Sequence, residues 1–238
     1  MSRHSTRTIK AVIFDLDGTL WDVEPVLAEA ERRLHEWFAT YHPAIADTFS
    51  IEDLRKLRRE LAEASPHLRH DMSALRKASV RVAADKTGVD PLVSERAFEV
   101  FMRHRNRVEL YHDVRPALER LCCRYTLCSL TNGNADVEMI GLSEFFHHSL
   151  SAANVGAAKP APEMFLEVCR VAGTQPSETV HVGDEPETDI AGAAAVGCRT
   201  VWVNRSNLAW TREWRADAEI VSLDELESLL ESWQNAAD

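Results

Sequence analysis

The chain alternates between two textures of apolar patterning. Ala11-Val12-Ile13-Phe14 is an unbroken apolar run and predicts a strand buried on both faces, over residues 9–14. From Trp21 to Arg107 no strand is legible. There the apolar residues recur at helical spacing: Leu27, Ala30, Leu34, Trp37 and Phe38; then Ile51, Leu54, Leu57 and Leu61; then Leu75, Ala78 and Val82. Ala97, Val100 and Phe101 mark a fourth helix with Pro91 near its start. The breaks fall at Tyr41-His42-Pro43, Ser65-Pro66-His67 and Thr87-Gly88, so this stretch predicts an all-helical insert of about four helices.

From Val114 the period changes. Tyr125–Leu130, Thr179–Val182 and Thr200–Val203 predict strands; His148–Leu150 is weaker, and Ile220-Val221 reads as a short edge strand. Helices fit between them over Pro116–Cys123, Pro162–Ala172 and Asp189–Val196, the last capped by Gly197, with a closing helix over Leu223–Trp233. Strand–helix alternation predicts an α/β fold with a doubly wound parallel sheet. The expected division is an α/β core over 1–20 and 111–238, with the helical insert over 21–110.

Composition narrows the class. The 238 residues are 45% hydrophobic and 27% charged, ordinary for a globular protein. No apolar run is long enough for a bilayer, so no membrane partner is expected. Met1–Lys10 is basic without an apolar stretch, unlike a secretory signal. Five cysteines, with no Cys-x-x-Cys spacing, fit reduced thiols in a cytoplasmic protein. A net charge of −11 argues against nucleic-acid binding. Residues 21–110 carry 15 Lys and Arg against 16 Asp and Glu, and the remainder 12 against 22. The middle of the chain is therefore nearly neutral and arginine-rich. It reads as solvated helix faces, or as cations offered to an anionic ligand above an acidic site.

In an open α/β sheet, ligands bind beyond the carboxyl ends of the strands. The first strand is followed by Asp15, Asp17 and Thr19, the second by Thr131-Asn132-Gly133-Asn134, and the weak third by Lys159-Pro160. The fourth is followed by Gly183-Asp184, with Asp189 beyond. Two carboxylates two residues apart repel unless a cation lies between them. Carboxylates, a hydroxyl, an amide and a lysine suit phosphoryl transfer, in which an aspartate attacks phosphorus and Mg²⁺ with an ammonium offsets the repulsion. Two unit charges about 4 Å apart cost roughly 4 kcal/mol at an effective dielectric of 20, and a phosphate dianion doubles that.

These four motifs, in this order, resemble the haloacid dehalogenase superfamily of phosphohydrolases, with a Rossmann-like core and an inserted helical cap. The resemblance implies Asp15 as nucleophile and Asp17 as general acid and base. Thr131, Asn132 and Lys159 would hold the phosphoryl group. Asp15, the backbone carbonyl of Asp17, and Asp184 would ligate Mg²⁺, with Asp189 and Glu185 behind them. Dehalogenases of the superfamily lack the second aspartate, so Asp17 favours a phosphatase. Tyr41-His42-Pro43-Ala44, Glu52-Asp53-Leu54-Arg55, His70-Asp71 and Thr131-Asn132-Gly133-Asn134-Ala135 are similar to the bacterial FMN and 5-amino-6-(5-phospho-D-ribitylamino)uracil phosphatases of riboflavin metabolism. That likeness implies a small phosphorylated metabolite as partner, side activity on phosphates such as pyridoxal phosphate, and a monomer or homodimer. The alternatives are a sugar-phosphate or nucleoside monophosphate phosphatase, or a sugar-phosphate mutase. A non-catalytic binding protein would be expected to have lost Asp15, Asp17 or Lys159. Trp21 is a candidate stacking surface for a substrate ring or else a hydrophobic hinge contact. Arg69 and His70 are candidates for substrate contact, beside Asp71, whose ordinary role is a helix N-cap.

Overall fold

The computed structural model describes residues 8–235, so the basic N-terminal stretch lies, up to residue 7, outside the described residues. The strands are β1 (Ala11–Phe14), β2 (Thr126–Thr131), β3 (His148–Ser151), β4 (Thr179–Gly183), β5 (Arg199–Val203) and β6 (Ala218–Ile220). They form one parallel sheet in the order β3-β2-β1-β4-β5-β6. β1 is central. The chain winds outward through β2 and β3, then returns to place β4 on the other flank of β1. The carboxyl ends of β1 and β4 thus lie at the point where the strand order reverses, where open sheets bind ligands.

The chain divides into two compact units. One contains the sheet and comprises residues up to Asp22, Glu109–Gly133 and Val137 onward; the other is Val23–Val108 with Asn134–Asp136. These bounds differ from those expected at 20/21 and 110/111. Trp21 bridges to Asp17 and to Leu110, and Tyr111 N–H donates to the Leu20 carbonyl at 3.0 Å, which ties both ends of the insert into the sheet unit. Asn134–Asp136 leave the sheet unit because Asn134 donates to Ser73 Oγ at 3.3 Å and Asp136 N–H to Asn106 Oδ1 at 2.8 Å.

The helical unit holds α1 (Val23–Tyr41), α2 (Pro43–Thr48), α3 (Ile51–Ala64), α4 (Met72–Thr87) and α5 (Val93–Arg105). That is one helix more than the sequence predicts, because Pro43, read as a break, opens α2 at a position where its missing N–H is no loss. Ser50 and Asp53 start α3 as a reciprocal capping box, and Asp71 caps α4 by accepting Ala74 N–H at 2.8 Å. Leu34, Phe38, Ile45, Leu54, Val80, Ala97 and Phe101 are among its buried core. Part of the arginine excess is spent internally: Glu31 on α1 accepts from Arg55 at 2.6 Å, from Arg58, and from Arg76 at 3.5 Å.

In the sheet unit, α6 (Val114–Leu121), α7 (Val137–Ile140), α8 (Ala152–Val155), α9 (Pro162–Ala172), α10 (Gly192–Val196) and α11 (Leu226–Asn235) accompany the strands. α7 and α8 are four residues each, too short to leave a periodic trace in the sequence. The helix expected over Asp189–Val196 is split. Pro186–Ala191 forms a wide π turn, and α10 begins only at Gly192. Ile13, Cys128, Leu130, Met164, Phe165, Val168 and Ala193 share one core cluster in this unit.

Phe101 is fully buried, with the Arg76 guanidinium 3.4 Å from its ring centroid. Phe101→Ala is expected to cost about 3–5 kcal/mol in urea unfolding, from lost burial and the cavity left behind. A loss below about 1 kcal/mol would contradict this packing.

Candidate active site

Phe14 pairs in register with Ser129 of β2 and Val182 of β4. Asp15 continues that ladder, its N–H donating to the Val182 carbonyl at 2.9 Å. The register brings Asp15 to the mouth of the sheet beside Gly183-Asp184. Lys159 arrives from the loop between α8 and α9. Its ammonium is buried, pairs with Asp15 Oδ1, and reaches Asp189 Oδ1 at 2.6 Å. The π turn aims Asp189 at it, since the Asp189 N–H bonds back to the Glu185 carbonyl at 2.9 Å and its Oδ2 accepts Glu185 N–H at 3.1 Å. Such one-turn widenings concentrate at functional sites.

The charge balance is short of cations. Burial drives the Asp15 carboxyl well above its ordinary range, against the pull of Lys159. Burial also raises Asp184, helped by the Asp189 charge, to about 7. Burial would lower Lys159, but Asp15 and Asp189 outweigh it and hold the ammonium charged. Burial would raise Asp189, yet Lys159 and His181 outweigh it and keep that carboxyl ionised. One lysine thus pairs with two carboxylates, Asp15 and Asp189, with the third, Asp184, close by.

Carboxylate oxygens of Asp15, Asp184 and Asp189 lie within 4.8 Å of one another. Asp189 has both oxygens engaged by Lys159, His181 and Glu185 N–H, which fits a carboxylate standing behind the ligands. Asp15 and Asp184 keep acceptor capacity toward the common space, and Mg²⁺ takes one or two carboxylates with the rest of its shell from water and substrate. The donor set therefore fits a divalent cation.

The other candidates are placed as follows. The Asp17 carboxylate lies outside that group and accepts the Trp21 indole N–H at 2.9 Å. Trp21 is 0% exposed, so of its two readings the stacking surface is corrected: its ring is packed away as a hydrophobic contact, and its polar edge orients Asp17. Thr131 ends β2, buried, and its hydroxyl accepts Gly133 N–H at 2.9 Å. The Asn132 side chain is not aimed at a phosphate. Its amide clamps the Lys159 backbone from both sides, Nδ2 to the carbonyl at 2.9 Å and Oδ1 from the N–H at 2.6 Å. Glu185 is an exposed side chain whose backbone serves Asp189. Arg69 is exposed and donates Nε–H to the Ala62 carbonyl at 2.9 Å; His70 lies half-buried just before the Asp71 cap. Arg69 and His70 belong to the helical unit, and neither is part of the carboxylate cluster.

Several supporting residues escape the sequence reading. His181 on β4 is wholly buried and lies 3.0 Å from Asp189 Oδ1. Burial lowers its pKa, so the ring is neutral, and facing a carboxylate assigns its proton to Nε2. The signal was a histidine inside the apolar run Val180-His181-Val182. Thr19 donates to Asp184 Oδ1 at 2.9 Å, and the Trp202 indole donates to the Asp184 carbonyl at 2.7 Å. Two glycines are required by close approach. A Cβ at Gly18, with φ of +85°, would sit 2.2 Å from Asp184 Oδ2. One at Gly183 would sit 2.4 Å from the Asp189 carboxyl carbon.

The family model of the haloacid dehalogenase-like hydrolases matches residues 9–197. The 5-amino-6-(5-phospho-D-ribitylamino)uracil phosphatase YigB of Escherichia coli K12 is 32% identical over 230 residues, covering 93% of this chain and 96% of that protein. A glyceraldehyde 3-phosphate phosphatase of Methanopyrus kandleri is 32% identical over 208 residues, covering 83% and 84%. The crystal structure of a 2-haloacid dehalogenase from Pseudomonas syringae pv. Tomato DC3000 is 40% identical, with a TM-score of 0.91 over 95% of this chain and 100% of that one.

Two outcomes are expected. The metal-free Asp184 carboxyl, raised to about 7 from 3.8, binds more protons folded than unfolded. Its contribution to stability is complete below pH 3.8 and is lost as pH rises through about 7. Mg²⁺ must displace that proton, so the rise in melting temperature with added Mg²⁺ should be full at pH 8 and shrink as pH falls below about 7. A Mg²⁺ response independent of pH would contradict this assignment. Gly183→Ala is expected to push Asp189 off Lys159 and lower kcat at least about tenfold, whereas a variant with normal turnover would show the contact to be relieved elsewhere.

Proposed function

The chain belongs to the haloacid dehalogenase-like hydrolase family, and from that premise we propose that this phosphoric monoester hydrolase works through an aspartyl-phosphate on Asp15 with Mg²⁺ as its metal. The observation that carries the reading is the buried Lys159 ammonium between Asp15 and Asp189, beside Asp184. A phosphate dianion brought to a carboxylate needs fixed positive charge, and this arrangement supplies part of it.

Asp15 attacks phosphorus through the oxygen that Lys159 leaves unpaired. The Asp15–phosphorus bond forms as the ester phosphorus–oxygen bond breaks, and Asp17 gives its proton to the departing alkoxide. Asp17, now a carboxylate, takes a proton from water, whose oxygen attacks phosphorus and releases phosphate and the Asp15 carboxylate. Trp21 keeps Asp17 turned for both transfers. Thr131 offers its hydroxyl proton to a phosphoryl oxygen, and Asn132 fixes the loop from which Lys159 reaches in. Asp15, the Asp17 carbonyl and Asp184 would hold Mg²⁺, which when bound would supply electrostatic neutralisation of the transferring group.

The substrate is FMN or 5-amino-6-(5-phospho-D-ribitylamino)uracil, with smaller activity on other phosphates such as pyridoxal phosphate. The 32% identity to the Escherichia coli phosphatase over nearly the whole of both chains supports it. The helical unit, inserted directly after the Asp15–Trp21 loop, is the substrate-selecting cap. The protein works on this small metabolite in the cytoplasm, as a monomer or homodimer.

The 40% identity to the Pseudomonas syringae dehalogenase favours a second reading, hydrolytic loss of halide from a 2-haloacid. Halide departure needs no proton, so Asp17 would have no task in it. Asp17 held by Trp21 supports the phosphatase.

Phosphate release with Mg²⁺ from FMN, the ribitylamino-uracil phosphate, pyridoxal phosphate and glyceraldehyde 3-phosphate, alongside halide release from 2-chloropropionate, tests both. The flavin-pathway substrates should give the highest kcat/KM, and no halide should appear. Preference for glyceraldehyde 3-phosphate would overturn the substrate assignment alone; halide release without phosphatase activity would overturn the whole. Asp15→Asn should abolish phosphate release, and Asp17→Asn should lower kcat by about 10²–10⁴. Turnover surviving Asp15→Asn excludes the nucleophile assignment.

A further inference from the structure

The helical unit contains a cavity that shares no residue with the carboxylate site. Its volume is about 660 Å³. One wall is a stripe of α1, Arg33, Trp37 and Tyr41, four residues apart so that they share a face, continued by His42. The opposite wall is a stripe of α5, formed by Arg96, Val100, Arg103 and His104. No acidic side chain lines it.

Its chemistry is aromatic and cationic. The Trp37 ring centroid lies 5.8 Å from that of Tyr41 and 4.9 Å from that of His42, and Tyr41 is 66% exposed. A tyrosine so exposed at the edge of an aromatic cluster leaves a ring surface open for stacking. Arg33 and Arg96 are held by exposed neighbours on their own helices, Arg33 by Glu29 at 2.8 Å and Arg96 by Glu99. Arg103 has no hydrogen bond or ion pair among the described residues. Exposed i,i+3 and i,i+4 pairs are weak, so all three guanidiniums can turn to a ligand anion. A guanidinium stacks on aromatic faces and grips phosphate oxygens with two parallel N–H bonds. The volume falls within the range of organic-ligand pockets.

We propose that this cavity is a binding site for a planar aromatic phosphate, the ring stacking against Tyr41 and Trp37 and the phosphate bound by Arg103 with Arg33 or Arg96. An inorganic anion would leave the aromatic wall unused, and an uncharged aromatic would leave the guanidiniums unused. Such a ligand has two sources, a separate effector nucleotide or a second molecule of the enzyme's own substrate when that carries an aromatic ring.

The test titrates the full-length protein in EDTA with AMP, adenosine and inorganic phosphate, by calorimetry and by tryptophan fluorescence. AMP is expected to bind and quench fluorescence, with adenosine and phosphate each at least tenfold weaker. Trp37→Phe should remove most of the quenching, and Arg103→Glu should weaken AMP binding at least tenfold while leaving the melting temperature and its Mg²⁺ response unchanged. AMP binding that neither Trp37→Phe nor Arg103→Glu alters, or no AMP binding at millimolar concentration, overturns the proposal. The source is read from turnover of FMN, an arm that rests on the proposed activity. A non-hyperbolic dependence of rate on FMN that Arg103→Glu abolishes marks a second substrate molecule, and a hyperbolic dependence in both proteins marks a separate effector. Failure of FMN turnover altogether would refute the proposed substrate without touching the AMP result.

Discussion

A single buried ammonium organises the site. Lys159 is 4% exposed and sits between two carboxylates that would repel each other without it. Taking a lysine out of water is unfavourable unless its charge is met, and here Asp15 and Asp189 meet it. The two carboxylates are not equivalent. Asp189 has both oxygens hydrogen-bonded, while Asp15 has one oxygen without a hydrogen bond among the described residues. The same contact thus anchors one acid and readies the other. It also leaves the local charge negative, with the carboxyls of Asp15 and Asp184 raised by burial, a balance that the proposed divalent cation would meet.

The rest of the sheet unit serves that contact. Reversal of strand order beside β1 brings the ends of β1 and β4 together, so Asp15 and Asp184 meet without any long-range loop. The π turn rotates Asp189 back over β4, and His181 pins it from the strand below. Gly18 and Gly183 lack side chains where the backbone passes against Asp184 and Asp189. Asn132 restrains the backbone of Lys159 itself. Each of these holds a neighbour of the ammonium rather than touching a substrate.

Much of this was legible in the chain. Asp15, Asp184 and Asp189 follow strands that apolar runs announce, Lys159 follows the weaker third, and a parallel sheet must collect strand ends at one edge. α9 was read to the residue because Pro162 and the apolar spacing mark it. What escaped was what depends on tertiary partners. The π turn begins with Pro186 and continues into a good helical pattern, and only the bond from Ile190 N–H to the Glu185 carbonyl, five residues back, reveals the widening. Asn132 reads as a phosphate-loop amide until its partner, 27 residues away in sequence, is seen. Trp21 reads as either a stacking surface or a packed contact until its burial is known. Trp210 and Trp214 have helical spacing, yet no helix forms there; they stack edge to face at 5.0 Å beside Trp202. Spacing constrains which residues share a face, while side-chain partners decide what that face is for.

The proposed mechanism stands on covalent phosphorylation of Asp15. Rapid acid quenching during turnover, followed by mass spectrometry of the peptide containing Asp15, measures this directly. One added phosphoryl group on Asp15 is expected during turnover, lost when substrate is exhausted. Steady phosphate release with no modified Asp15 peptide, or with the phosphoryl group on another residue, would contradict it.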